Sequence, residues 1–220
     1  MNTMRRSPLH DNLTALRATW GASNDMPVAV SIPGETDDMP LQLADVSCLA
    51  RMGAKGAQAE QWLVSQGALV PEGVNSWTRS ADGMIVARLA RSEFLLEDGF
   101  GGTRVQQLGS ALAPAPGVYP VLRQDAALAL AGERVGDLLA QVCNVNFRGW
   151  PLEQQTVVMT SMVGVSVTVI WYRQNGLPCY RVWCDGTFGP YLWETLLEIA
   201  RELGGGGVGL KRIFPEAVTQ

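Results

Sequence analysis

The chain has 220 residues, a formal net charge of −4, and 47% hydrophobic against 17% charged residues. That is enough apolar material for a core in one large domain or two small ones, and the acidic balance leaves no basic footprint for nucleic acid. Seven Trp at such low charge point to apolar surface for a protein partner, although scattered surface apolars are ordinary.

Residues 1–26 read as an N-terminal arm in which Asp11 to Trp20 can form a short helix. Arg5 and Arg6 are not followed by an apolar segment, so no secretory leader is expected. Four Cys without close pairing read as reduced, buried thiols, and the location expected from both features is cytoplasmic. Val28 to Ile32 alternates as a strand, Pro33 to Asp38 is a loop, and Leu41 to Met52 is strand-like. Lys55-Gly56 then opens a helix that buries Ala59, Trp62 and Leu63. Pro71 to Thr78 reads as a loop, Met84 to Leu89 as a strand and Glu93 to Glu97 as its hairpin partner. Phe100 to Pro116 is poorly patterned, and Ala111 to Gly117 is the expected linker.

A second unit follows the same plan. Ala126 to Leu130 is a strand, and Ala131-Gly132 opens a helix that buries Val135, Leu138, Leu139 and Val142. The Gly56 and Gly132 segments superpose without gaps, a weak internal repeat. Thr156 to Thr160 is β-branched, and Val163 to Trp171 alternates with period two, the pattern of a half-buried strand. The run is too short and too rich in Thr and Ser for a membrane span. After the Asn175-Gly176 turn comes Cys179 to Cys184, with Cys179, Arg181 and Trp183 on one face and Tyr180, Val182 and Cys184 on the other. An amphipathic helix runs from about Gly189 through Leu192, Leu196, Ile199 and Leu203, and Gly204 is suited to end it. The expected fold is α+β: two βαββ-like halves at 27–117 and 118–204, mostly antiparallel sheets with helices packed on one face, and a C-terminal tail at 205–220. Ile213 and Phe214 in that tail should cover a sheet edge or a partner.

Chemistry-bearing motifs are few. Gly204 to Gly209 matches G-x-G-x-x-G, but it follows a helix instead of a strand, so it reads as a flexible helix end and not a dinucleotide loop. Asp37-Asp38 and Glu97-Asp98 read as solvated loop charges, not catalytic carboxylates. With His10 the single His, neither a nucleophilic dyad nor a zinc site is expected, and Cys143 and Cys184 read as core packing. Trp150, Trp171, Trp183 and Trp193 read first as a core corner and second as a subunit-interface cluster.

The order of these elements resembles the folate-binding superfamily of the glycine-cleavage T-protein and heterotetrameric sarcosine oxidase. The resemblance rests on Leu43-Ala44-Asp45-Val46-Ser47, the Gly56-Ala57-Gln58-Ala59 helix start, the Leu138-Leu139 helix and Tyr180 ahead of a Trp-bearing helix. Ser7-Pro8-Leu9 and Val169-Ile170-Trp171 are most similar to the sarcosine oxidase gamma subunit. The resemblance implies a small structural subunit of a complex that oxidatively demethylates sarcosine or a related N-methyl amine. It further implies that larger flavoprotein subunits hold FAD, FMN and NAD, and that tetrahydrofolate accepts the one-carbon unit. The alternative is a standalone tetrahydrofolate-binding aminomethyltransferase-like protein. Trp171, Tyr180 and Arg181 are the groove candidates; where T-proteins carry a pterin-binding carboxylate after the aromatic of their glycine motif, this chain has Arg181 after Tyr180. Arg offers donors only, and no catalytic or metal-ligating residue carries over.

Overall fold

A computed structural model describes residues 5–112, 115–151 and 153–217. In chain order the elements are α1 (His10–Ala15), β1 (Thr19–Ser23), β2 (Met26–Ser31), β3 (Gln42–Asp45), β4 (Arg51–Lys55), α2 (Ala59–Ser65), β5 (Ser76–Arg79), β6 (Ile85–Ala90), β7 (Glu93–Glu97) and α3 (Arg104–Leu112). They continue as β8 (Tyr119–Val121), β9 (Ala126–Ala131), α4 (Val135–Val142), β10 (Val158–Met162), β11 (Val165–Gln174), β12 (Leu177–Cys184), α5 (Gly189–Glu202), β13 (Gly206–Gly207) and α6 (Leu210–Ile213). The chain is α+β with mostly antiparallel sheets.

The residues group into two compact units: one takes the chain up to Cys48, Asp125–Gln154 and Met159 onwards, the other Leu49–Gln124 and Gln155–Val158. The stretch expected as an arm is therefore part of the first unit. Leu9 and Leu13 are buried, and β1 pairs with β2 through a turn at Asn24-Asp25, both with positive φ, the backbone that a tight hairpin between twisted strands requires. The single strand expected over 41–52 is two strands in different sheets. Ser47 N–H bonds the Asp45 carboxylate at 2.9 Å, a local turn that ends β3, and the chain passes from one unit to the other just beyond it.

In the second unit the sheet order is β5-β6-β7-β4-β8. Met52, Ala54, Phe94 and Leu96 face a core shared with Ala59 and Leu63 of α2 and with Val105, Leu108 and Leu112 of α3. The last three recur at helical spacing, so α3 is an amphipathic helix where the sequence reading found no pattern. Residues 111–112 of the expected linker belong to α3, and Ala113 and Pro114 lie outside the described residues. β5 likewise stands where a loop was expected.

In the first unit the order is β10-β11-β12-β9-β3-β13. Apart from β13 it repeats the other sheet strand for strand, and the repeat holds at single residues. Gly132 and Gly56 end β9 and β4 with φ of +119° and +131°. Their N–H groups bond Pro178 O and Ser92 O, and the helices that follow are tied by Arg134 N–H to Pro40 O and by Gln58 N–H to Gly117 O. A Cβ on Gly132 would lie 2.3 Å from Pro40 O, and one on Gly56 2.2 Å from Gly117 O, so both sites combine left-handed backbone with close approach.

The helix α5 ends in a Schellman arrangement: Gly205 N–H bonds Ala200 O at 2.8 Å and Gly204 N–H bonds Arg201 O at 3.0 Å, with Gly204 at φ +78°. The glycines after it, expected as a flexible end, instead form β13, parallel to β3. A Cβ on Gly205 would lie 2.1 Å from Leu41 O, so the run is glycine because two backbones meet there. The tail then turns into α6, and Ile213 and Phe214 are buried within its own unit.

Candidate functional site

Trp171 and Tyr180 sit directly opposite each other on β11 and β12, so their side chains share one sheet face. The rings stack at 6.1 Å between centroids and 27°. A short 3₁₀ turn, Phe147–Gly149, follows α4 and is capped by Asn146, whose side-chain oxygen accepts the Arg148 N–H at 3.2 Å. It delivers Phe147 edge-on to both rings, 5.7 Å from each. Trp150 packs on Trp171 at 5.3 Å and is 36% exposed, whereas Trp171 is fully buried. The Trp171 indole N–H donates to Pro151 O at 3.0 Å. The result is an aromatic wall with one ring in contact with solvent. Burial pushes the Tyr180 phenol up.

Beside this wall lies a cleft of about 340 Å³, lined by Gly136, Leu139 and Ala140 of α4 and by segment 143–148. The Val145 N–H bonds Cys143 Sγ at 3.4 Å. Arg148 at the mouth is held by Asp137, which also accepts from Arg134 Nε at 2.8 Å. The Arg134 hydrogen bond, with the charges of Arg134 and Arg148 behind it, holds Asp137 below the usual carboxylate range. Such a carboxylate stays ionised and is a poor proton acceptor. The carboxylate beside the cleft is therefore not poised for general base work.

The three groove candidates do not come together. Trp171 and Tyr180 share the wall, while Arg181, the next residue on β12, points to the opposite face. There it is buried, donates to the Tyr172 hydroxyl at 3.0 Å and lies under the Phe214 ring at 5.4 Å. The alternation of β12 already separates Tyr180 from Arg181; Phe147, which completes the wall, has no signal in a sequence where it is one apolar residue in a loop.

The other candidates divide. Asp37 is exposed and ion-paired with Arg212. The expectation of solvated charges fails at Glu97-Asp98: Glu97 is fully buried against Arg51 at 2.8 Å, and the Asp98 carboxylate accepts the Val105 N–H at 3.1 Å, capping α3. Trp183 and Trp193 are buried, but Trp183 shares the β12 face of Arg181 and not that of Tyr180 and Trp171. Cys48, Cys179 and Cys184 are buried free thiols, and burial, with Asp125 and Asp185 adding, pushes Cys184 up to about 12. Among the described residues no three His, Cys, Asp or Glu side chains gather as a metal site requires, and no helix is long and apolar enough to cross a membrane.

The two sheets of matching strand order define a duplicated α+β fold, and solved structures superpose on this chain. Aminomethyltransferase T of the glycine cleavage system from Bartonella henselae superposes with a TM-score of 0.73 at 18% identity, over 98% of this chain and 62% of that one. A chain of the heterotetrameric sarcosine oxidase from Corynebacterium sp. U-96, solved with pyrrole 2-carboxylate, superposes with a TM-score of 0.67 at 20% identity, over 93% of this chain and 98% of that one. This chain therefore spans less than two thirds of the aminomethyltransferase but nearly the whole of the sarcosine oxidase chain. At these identities the likeness is one of fold. No family model matches the sequence, nor does any curated protein.

Proposed function

We propose that the chain is a small, non-catalytic subunit of a heteromeric, sarcosine oxidase-like complex that oxidatively demethylates sarcosine or a related N-methyl amine. In this reading larger flavoprotein subunits carry FAD, FMN and NAD, and tetrahydrofolate takes up the one-carbon unit elsewhere in the complex. The observation that carries the reading is the near end-to-end match with a chain of the Corynebacterium heterotetramer, 93% of one against 98% of the other. Arg181 supports it: the position that the resemblance gives to a pterin-binding carboxylate holds a buried cation engaged by Tyr172 and Phe214. A pterin N–H group finds no acceptor in that side chain, so no folate step is assigned to this chain. The test is recovery of the tagged chain from its native host, read by mass and visible absorbance. Larger flavin-bearing subunits are expected in the eluate; a colourless, solitary chain of 23.7 kDa overturns the reading.

A second reading is a standalone tetrahydrofolate-binding protein of aminomethyltransferase type, favoured by the TM-score of 0.73 over 98% of this chain. Its test is tryptophan fluorescence. Saturable quenching by tetrahydrofolate up to about 1 mM, a weak-binding ceiling, that is lost in Trp150→Ala supports it; unchanged emission removes it.

A further inference from the structure

The turn between β11 and β12 has two residues. Gln174 pairs with Leu177, and Asn175 and Gly176 between them have φ of +51° and +82°, the primed turn that matches strand twist. The tip of this hairpin holds the C-terminal tail. Asn175 Nδ2 donates to Ile213 O at 3.1 Å, and Gln174 Nε2 reaches the same oxygen at 3.5 Å. Ile213 is the last residue of α6, so its carbonyl is one that the helix leaves without an internal partner. The Asn175 amide therefore acts as a cap supplied from another element. Behind it Ile213 and Phe214 are buried, and Phe214 lies over the Arg181 guanidinium.

The same two residues carry a second chemistry. A backbone nitrogen can attack the side-chain carboxamide of a preceding Asn and close a five-membered ring. A side chain on the attacking residue shields its nitrogen, and glycine has none. Asn175-Gly176 is the one Asn-Gly step in the sequence; the other Asn residues precede Thr, Leu, Asp, Ser, Val or Phe. Both residues of the step are exposed, and a Cβ on Gly176 would meet nothing within 4 Å. The nitrogen is uncrowded and water reaches it.

We propose that Asn175 is a site of spontaneous deamidation in the folded protein, and that its conversion releases the C-terminal tail from the hairpin. The Gly176 nitrogen bonds to Asn175 Cγ, the Cγ–Nδ2 bond breaks, and ammonia departs with the proton from the Gly176 nitrogen. Water then opens the cyclic imide at either carbonyl, leaving aspartate or isoaspartate. No electrons are exchanged. Nδ2 must first leave Ile213 O, so the intact contact slows the reaction and opening of the tail speeds it. The product has no donor left: a carboxylate only accepts, and it sets a negative charge against the Ile213 carbonyl. Isoaspartate also adds a backbone atom to a turn whose length sets the β11–β12 register.

The test holds the full-length chain for days at mildly alkaline pH and body temperature, followed by brief tryptic digestion. The peptide Gln174–Arg181, bounded by Arg173 and Arg181, is expected to turn to the acid form ahead of every other Asn-containing peptide. The undigested chain is expected to become a substrate for an isoaspartyl methyltransferase over the same period. Asn175→Asp is expected to speed hydrogen exchange of the Arg212 and Phe214 amides about tenfold or more, the scale of one hydrogen bond replaced by an opposed charge, with β6 and β7 unchanged. An amide that persists in Gln174–Arg181 while other Asn residues convert overturns the site. Conversion with unchanged exchange at α6 overturns the release of the tail. Exchange that quickens equally throughout the variant overturns it in favour of general destabilisation.

Discussion

Glu97 and Asp98 stand side by side at the end of β7, and the fold treats their carboxylates differently. Glu97 and Arg51 are both fully buried and ion-paired. Removing one partner of such a pair leaves an uncompensated charge, so Arg51→Met alone is expected to cost about 3–5 kcal/mol, whereas Arg51→Met with Glu97→Leu recovers most of that loss. A double-mutant cycle in urea checks it, and additive single costs would overturn the coupling. Burial pushes Asp98 above its ordinary value, against the hydrogen bond from Val105. The native state then binds more protons than the unfolded chain, starting near pH ~4. This group therefore makes stability fall as pH rises through the window between its unfolded and folded pKa, and the effect is flat above it. Other carboxylates titrate in the same range, so the readout is a difference. Asp98→Asn is expected to lose this slope relative to wild type, and parallel pH profiles of the two proteins would rule out the assignment.

At the scale of elements the strand–glycine–helix step recurs at Gly56 and Gly132, and both depend on the missing Cβ. Gly132→Ala combines a left-handed φ of +119° with a clash on Pro40 O at 2.3 Å. A loss of about 2 kcal/mol or more is expected from strain of that kind, with hydrogen exchange fastest at the start of α4; a neutral substitution would show that the junction relaxes freely. These steps were legible in the sequence because glycine before a helical stripe is a strong local signal. The β11–β12 pair and α5 were legible too, since their periods persist over eight to 14 residues. The missed elements include β5, whose four residues are too few for alternation, and α3, which hides Val105, Leu108 and Leu112 among Gln, Gly and Ser. The buried Glu97 was illegible for another reason. Its partner Arg51 lies 46 residues away, and no local pattern reveals a pairing over that distance. Half of the candidate site was readable from strand parity, which set Trp171 and Tyr180 on faces; Phe147 and Trp150 join them only through the turn after α4.

At the scale of the molecule the first unit is discontinuous in sequence and the second nearly continuous. β3 is held by β9 on one side and β13 on the other, so its environment depends on residues far along the chain. Gly205→Val places a side chain on Leu41 O and is expected to release β13. Exchange of the β3 and α6 amides should accelerate with no change at β6 and β7; equal acceleration everywhere would mean that the chain unfolds as one cooperative block.

The same layout sets an order in time. During synthesis, residues 49–124 emerge with all of their unit except the short Gln155–Val158 piece, and two of their four strand pairings, β5–β6 and β6–β7, are hairpin-local. The segment ahead of them pairs β1 with β2 locally, but its β3, although made earlier, cannot join its sheet until residues 126–131 and then 206–207 have left the ribosome. Its buried leucines, Leu9, Leu13, Leu41 and Leu43, stay without their final neighbours through most of translation. Contacts so distant in sequence are slow to close, and apolar segments waiting for them are what folding chaperones bind. The earliest part of the chain to be made is therefore the last to be secured.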